Sequence, residues 1–486
     1  MRQHSRVLTV LHLCSFLVFL YSFSMLVPAG IGMIYNEKDI SAFLITFLVS
    51  LVLGLAGWMS TTRADRVLRT RDGFLVVVLF WLIFSLVSAM PLLLDRRLNL
   101  SVIDALFEGI SGITTTGASV LSGIDQLPKS ILYYRAQLNF LGGLGIIVLA
   151  VAVLPLLGIG GAKLYQSEMP GPHKEEKLTP RLADTAKHLW LIYAGLAFVT
   201  GLSFYLAGMN VFDALCHSLS TVSLGGFSTH ADSLGYYHSP AIEWVGGVFS
   251  VLSGVNSALY FLAINRRSVW PILQDPEFRF FILMVTLVVG YTCFELYHAG
   301  TFGAKDAVVH GFFQAASVMT DNGLGAGNYP AWPPHVVLLL LGASFFGGCV
   351  GSTCGGIKAM RFLVLYQQSS REVRQLIHPN AVYSAKMGQQ PISDRVIRSV
   401  WGLFFLFVFF ASIFTWGLVA CGQDLLTAFG TVAACINNMG IGYGETSSTF
   451  GTLTTPSKWL MCAAMLFGRL EIFPILIVFS RTFWRF

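Results

Sequence analysis

Apolar residues run along this chain in blocks of about 20, separated by short polar connectors. A hydrocarbon core about 30 Å thick is crossed by about 20 apolar helical residues. Blocks of that length lie at 7–27, 40–59, 74–94, 131–157, 189–207, 242–264, 278–296, 336–366, 400–421 and 460–479. The pattern predicts ten transmembrane helices, the eighth interrupted by glycines. The first block follows a basic Met1–Arg6 stretch and precedes Pro28-Ala29-Gly30, as in a signal peptide. Its length exceeds a usual signal core, so a retained first helix is expected.

Lys and Arg fix the expected orientation. With the N-terminus inside and strict alternation, 22 of them fall on the cytoplasmic side and 7 outside, among the latter Arg135. Lys358 and Arg469 remain within the membrane. This asymmetry predicts both termini in the cytoplasm. The inner loops are short, the longest being 158–188 and 367–399, too short for a soluble catalytic domain.

Four shorter semi-apolar segments sit between the later helices, at 104–118, 213–227, 310–324 and 427–441. Each is too short to span and starts and ends on the expected outer side, so each is read as re-entrant. The first two share Asp-Ala-Leu (Asp104-Ala105-Leu106, Asp213-Ala214-Leu215), and Gly117 and Gly226 each follow the Asp by 13 residues. Gly323 and Gly440 stand 13 residues after His310 and Thr427. A unit of helix, short helix, Gly loop and helix thus occurs four times.

Irregular backbone at membrane depth is tolerated where it is buried in protein or lines water. A desolvated cation satisfies its carbonyls, and glycine takes up the left-handed backbone such a loop needs. The candidate ion-coordinating residues are Thr115-Thr116-Gly117, Leu224-Gly225-Gly226, Asp321-Asn322-Gly323 and Asn438-Met439-Gly440, acting through their carbonyls. Gly142, Gly143 and Gly145, in mid-span, read as close helix packing.

Composition agrees with a lipid environment: 55% of the 486 residues are hydrophobic and 12% charged. The net charge of +6 is spread over short connectors, which does not point to nucleic acid. The eight cysteines lie in apolar or Gly-rich stretches without a CxxC pair, against a disulfide or zinc framework. HExxH and GxSxG are absent, and the chain does not read as an enzyme.

The segment 347–358 carries Gly347, Gly348, Gly351, Gly355 and Gly356, too many for a stable helix interior. A phosphate-binding reading fails because Ile357 separates Gly356 from Lys358 and no strand precedes. We expect a movable gate here, with a passive kink as the alternative. Arg469 lies mid-helix, where a charge costs at least about 3 kcal/mol. It is expected to face water or a partner, and Glu471, two residues on, lies on another face. An Arg paired with an acid in a helix interface is the alternative. Asp125, Asp232 and Glu445 lie on the expected outer side and read either as concentrating cations near the loops or as ordinary solvated loop charges. His217 and His310 read as packing or hydrogen-bonding residues.

The stretches Thr114-Thr115-Thr116-Gly117-Ala118, Val222-Ser223-Leu224-Gly225-Gly226-Phe227-Ser228-Thr229 and Asn437-Asn438-Met439-Gly440 resemble the pore loops of TrkH-type K⁺ uptake proteins. Gly347–Thr353, Gly355-Gly356-Ile357-Lys358 and His378-Pro379 fit the same family. The resemblance covers the whole chain. It implies an all-α integral membrane protein with two N-terminal transmembrane helices (1–72) and four helix–pore-loop–helix modules in pseudo-four-fold arrangement, at 73–183, 184–277, 278–394 and 395–486. It further implies K⁺ as the transported ion, a cell inner membrane location, a homodimer, a nucleotide-binding cytoplasmic regulator resembling TrkA, and an Arg at position 469 in the pore below the filter. Two departures stand out. The third loop reads Thr320-Asp321-Asn322-Gly323 where the family has Thr-Thr-Thr-Gly, which bears on selectivity. Cys354 replaces a glycine, which bears on gate stiffness. A Na⁺-permeable or H⁺/Na⁺-coupled symporter of the same fold, and an organic-solute secondary transporter, are the competing readings.

Overall fold

The computed structural model describes residues 2–62, 70–152, 178–326, 329–381, 383–388 and 390–484. The predicted basic residues Arg63, Arg66, Arg69, Lys163, Lys174, Lys177 and Arg485, and the end of the 131–157 block, lie outside the described residues.

The described chain is almost entirely helical. Helix α1 (Arg2–Ser22) continues through a 3-10 turn into α2 (Leu26–Ile34). Next come α3 (Ser41–Ser60), α4 (Thr70–Leu94), the short α5 (Val102–Ile113) and α6 (Lys129–Ala152). Then follow α7 (Leu178–Leu206), the short α8 (Val211–Ser223), α9 (Pro240–Ser253), α10 (Ser257–Arg266) and α11 (Trp270–Gln274). The third stretch holds α12 (Pro276–His298), the short α13 (Ala304–Met319), α14 (Pro334–Ser344) and α15 (Ala359–Ile377). A small hairpin pairs Lys386–Met387 with Gln390–Pro391. The chain ends with α16 (Asp394–Ala420), the short α17 (Leu425–Ile436), α18 (Thr455–Arg469), α19 (Phe473–Phe479) and α20 (Arg481–Trp484).

Counting α1 with its continuation α2 as one, six of the described helices are long and apolar enough to cross a membrane. Besides the eighth block, whose expected interruption separates α14 from α15, two of the ten predicted spans are not continuous. The 242–264 block is α9 and α10, which meet at 87°, and the 460–479 block is α18 and α19, which meet at 108°. The first break is held by specific bonds. Gly254 O accepts from Cys349 N at 2.8 Å, and the Asn256 side chain caps α10 by accepting from Ala258 N at 3.0 Å. At the second, Glu471 and Ile472 take positive φ (+52° and +62°), and α19 restarts with Pro474 in its first turn.

Three of the four short helices begin on side-chain caps, and α13 begins on Gly303 without one. Ser101 and Asn210 accept from the amides of Asp104 (3.3 Å) and Asp213 (2.9 Å). Asp424 accepts from Leu426 (3.1 Å) and Thr427 (3.0 Å). Hydrogen bonds from the Thr427 side chain and amide hold the Asp424 carboxyl below its ordinary pKa. The last turns of all four short helices are buried: Ile110 to Ile113, Ser220 to Ser223, Ala316 to Met319 and Ala433 to Ile436. These helices are surrounded by the long ones, and the loops that follow them lie in the core of the bundle.

The four glycine loops and the segment beneath them

Each short helix stops in the same way. The amides of Thr116, Gly225, Asn322 and Met439 donate to the carbonyls of Ser111 (2.8 Å), Ser220 (2.9 Å), Ser317 (2.8 Å) and Ala434 (2.8 Å). The residue before each, Thr115, Leu224, Asp321 or Asn438, is left-handed, with φ of +53°, +54°, +58° and +56°. This is a Schellman closure made without glycine at its usual place. Two residues later the chain turns left-handed again at Gly117, Gly226, Gly323 and Gly440, with φ of +82°, +73°, +74° and +80°. The sequence comparison that selects Gly226 over Gly225 agrees with this backbone.

The loops meet one another in chain order. A side chain on Gly117 would strike Gly225 O and lie 3.0 Å from Gly226 Cα. One on Gly226 would lie 2.6 Å from Asn322 O, and one on Gly323 would strike Met439 O. One on Gly440 would strike Thr116 O, with Gly117 C at 2.7 Å. Each glycine therefore abuts the middle carbonyl of the next loop, and the fourth returns to the first. The ring is closed, and each of these glycines is required both by its φ and by the space it leaves.

Side chains brace the ring from behind. Asn438 Nδ2 donates to Thr116 Oγ1 (2.9 Å) in the neighbouring loop and to Met465 O (3.0 Å). Asn322 Nδ2 donates to Ser250 Oγ (2.6 Å), and Asn437 Nδ2 to Ser344 Oγ (2.8 Å). Gly142 and Gly143 do serve close packing: side chains there would strike Ile113 O and the Tyr193 hydroxyl. Gly145 meets only Phe80 and Trp81, at 3.5 Å or more.

Arg135 departs from its expected surroundings. The charge count puts it on the outer side although the 131–157 block contains it; it lies within α6, and it is buried, 1% exposed, where a solvated outer charge is implied. Arg135 Nε donates to Glu108 Oε1 (2.8 Å), Nη1 to Ser228 O (2.9 Å) and Nη2 to Ser119 Oγ (3.1 Å), and the guanidinium stands 4.1 Å from the Phe227 ring centroid. Glu108, itself 0% exposed, also accepts from Val120 N (3.0 Å). One ion pair thus ties together the chain just after Gly117 and just after Gly226. His217, as expected, only hydrogen-bonds, to Asp213 O and Ser228 Oγ. His310 meets Glu243 at 2.7 Å. Asp125 faces His230 at 2.8 Å.

Residues 345–358 separate α14 from α15. Gly347, Gly351 and Gly356 are left-handed, as is Lys358 (φ +80°). Thr353 Oγ1 donates to Val222 O (3.2 Å) in the last turn of α8, and Gly355 packs on Asn437 O at the end of α17. In ring order, α8 and α17 stand opposite each other, so this segment reaches across the space at the ends of the short helices. Lys358 Nζ donates to Cys354 O (2.7 Å) and Ser352 O (3.3 Å), tying the segment to itself. Cys354 is a buried free thiol packed against Gly348.

Arg469 is 5% exposed and donates from Nη1 to Thr353 O (3.0 Å). It forms no ion pair among the described residues, whereas Glu471 pairs with Arg361. Glu277 on α12 has no counterpart in the sequence reading. Its Oε1 accepts from Val350 N (2.6 Å) and Met360 N (3.1 Å), pinning both sides of the segment.

Comparison with known proteins matches residues 39–485 to the family described as TrkH, cation transport protein. The Trk system potassium uptake protein TrkG of Escherichia coli K12 is 54% identical over 483 residues, 99% of each chain. TrkH of Salmonella typhimurium is 44% identical over 99% of this chain and 100% of its own. The crystal structure of the potassium transporter TrkH from Vibrio parahaemolyticus superposes with a TM-score of 0.92 at 42% identity, covering 99% of this chain and all of that one. With a family match across most of its length and full-length relatives at 44% and 54% identity, the chain belongs to the TrkH family of cation transport proteins.

Proposed function

We propose that this protein takes up K⁺ across the inner membrane through a channel-like path whose selective element is the ring of four loops. The observation that carries this is the closed contact of each left-handed glycine with the middle carbonyl of the next loop. Four loops meeting in this way offer a desolvated ion several amide oxygens in place of water. The short helices end at the ring, so their C-terminal dipoles favour a cation there. Movement is driven by the membrane potential, worth about 2.3 kcal/mol per charge per 100 mV.

The segment 347–358 acts as the gate, lying across the path between α8 and α17. Arg469 holds a positive charge beside Thr353 and limits flux. A cytoplasmic nucleotide-binding regulator and a homodimeric assembly complete this reading.

Expression in a bacterium lacking its own K⁺ uptake systems tests it. Restored growth at low K⁺, with purified protein passing Rb⁺ faster than Na⁺ into liposomes, is the expected result. Equal Rb⁺ and Na⁺ flux would favour the Na⁺-permeable alternative. No flux of either would overturn the channel-like path.

A further inference from the structure

The tripeptides of the ring contain one ionisable side chain, Asp321. It occupies the left-handed position that Thr115, Leu224 and Asn438 hold in the other loops. The residue is 0% exposed, and neither carboxylate oxygen has a hydrogen-bond partner among the described residues. That is unusual, because a buried carboxylate left without donors is among the costliest groups a fold can carry.

Its surroundings narrow what can satisfy it. Oδ2 lies over Gly347, 3.4 Å from where a β-carbon would stand, and Gly355 O faces the same gap. The nearby fixed cations, Lys358 and Arg469, are within electrostatic reach but do not bond to it. Lys358 donates to Ser352 O and Cys354 O, and Arg469 to Thr353 O. The side chain therefore presents two unpartnered carboxyl oxygens at the junction of the third loop and the 345–358 segment, beside a carbonyl.

We propose that the Asp321 carboxylate forms a separate binding site for one dehydrated monovalent cation, between the third loop and Gly347. The proposal rests on reading the ring as the ion path. The site differs in kind from the ring: its ligand is a side-chain carboxylate, present in one quadrant only. Lys358 and Arg469 oppose occupancy, so the ion is held without being trapped, as conduction requires. The site also links occupancy to the gate, because the same carboxylate sits on the first left-handed residue of the 345–358 segment.

Anomalous diffraction from crystals of the full chain grown in Rb⁺ tests this. The expected result is a peak within the ring and a second, distinct peak in contact with the Asp321 carboxylate. In D321N the second peak disappears and the ring peak stays. A ring peak with nothing at Asp321 in the unaltered protein overturns the proposal and leaves the ring reading intact. A second peak that persists in D321N also overturns it. No peak in the ring of either protein overturns the ion-path reading itself. The unaltered protein alone decides the first point should D321N fail to fold.

Discussion

Arg135 donates to Glu108 at 2.8 Å, and neither residue reaches solvent. The pair joins α6 to α5, and its remaining bonds reach Ser119, Val120 and Ser228, each two or three residues past a ring glycine. Removing one partner of a buried pair leaves an uncompensated charge and costs about 3–5 kcal/mol. Glu108→Gln is expected to lower the thermal midpoint of the detergent-solubilised protein and to narrow the difference between Rb⁺ and Na⁺ flux. An unchanged midpoint and unchanged selectivity would show that the pair does not hold the ring.

Gly226 combines φ of +73° with a neighbouring carbonyl 2.6 Å from any added β-carbon. Gly226→Ala carries about 1–2 kcal/mol of backbone strain before the clash is counted. Its expected outcome is loss of Rb⁺ over Na⁺ preference in liposome flux, with the protein still extracted as a folded species. Gly123, equally left-handed but with open space around it, is the control: Gly123→Ala leaves selectivity unchanged.

Glu277 accepts the amides of Val350 and Met360 through one oxygen. Glu277→Ala strands both donors, at about 1–3 kcal/mol each. If 345–358 is the gate, the cost falls on its closed conformation, so Rb⁺ flux of the purified protein should rise several-fold. A fall, or no change, would argue that the segment is a fixed part of the wall.

Arg469 stands at Thr353 O without an acidic partner among the described residues. If its charge limits flux, Arg469→Gln should raise inward Rb⁺ flux and flatten its dependence on membrane potential. Unchanged flux and voltage dependence would remove Arg469 from the path.

The long helices were legible because twenty apolar residues in a row have few other uses. The glycine-rich break in the eighth was legible too, but the bends in the sixth and tenth were not, since average hydropathy is blind to a bend: the signals were the Asn256-Ser257 cap and Pro474 two residues after Ile472. The ring glycines could be found by counting, because few other residues tolerate that backbone. The left-handed residues two places earlier could not, because Thr115, Leu224 and Asn438 do not announce such a conformation. The burial of Arg135 was missed for a related reason. A charge near a span end reads as solvated, and its partner lies 27 positions away on another helix. Glu277 escaped notice in the same way, its role being defined wholly by amides more than 70 positions downstream.

The four loops differ in sequence while sharing one backbone path. In an assembly of four identical subunits, any substitution at this level is written four times, and charge changes in multiples of four. Here one codon alters one quadrant. A side chain present in one quadrant only, as Asp321 is, is open to this chain and closed to a symmetric tetramer, so substitution can change the ring one loop at a time.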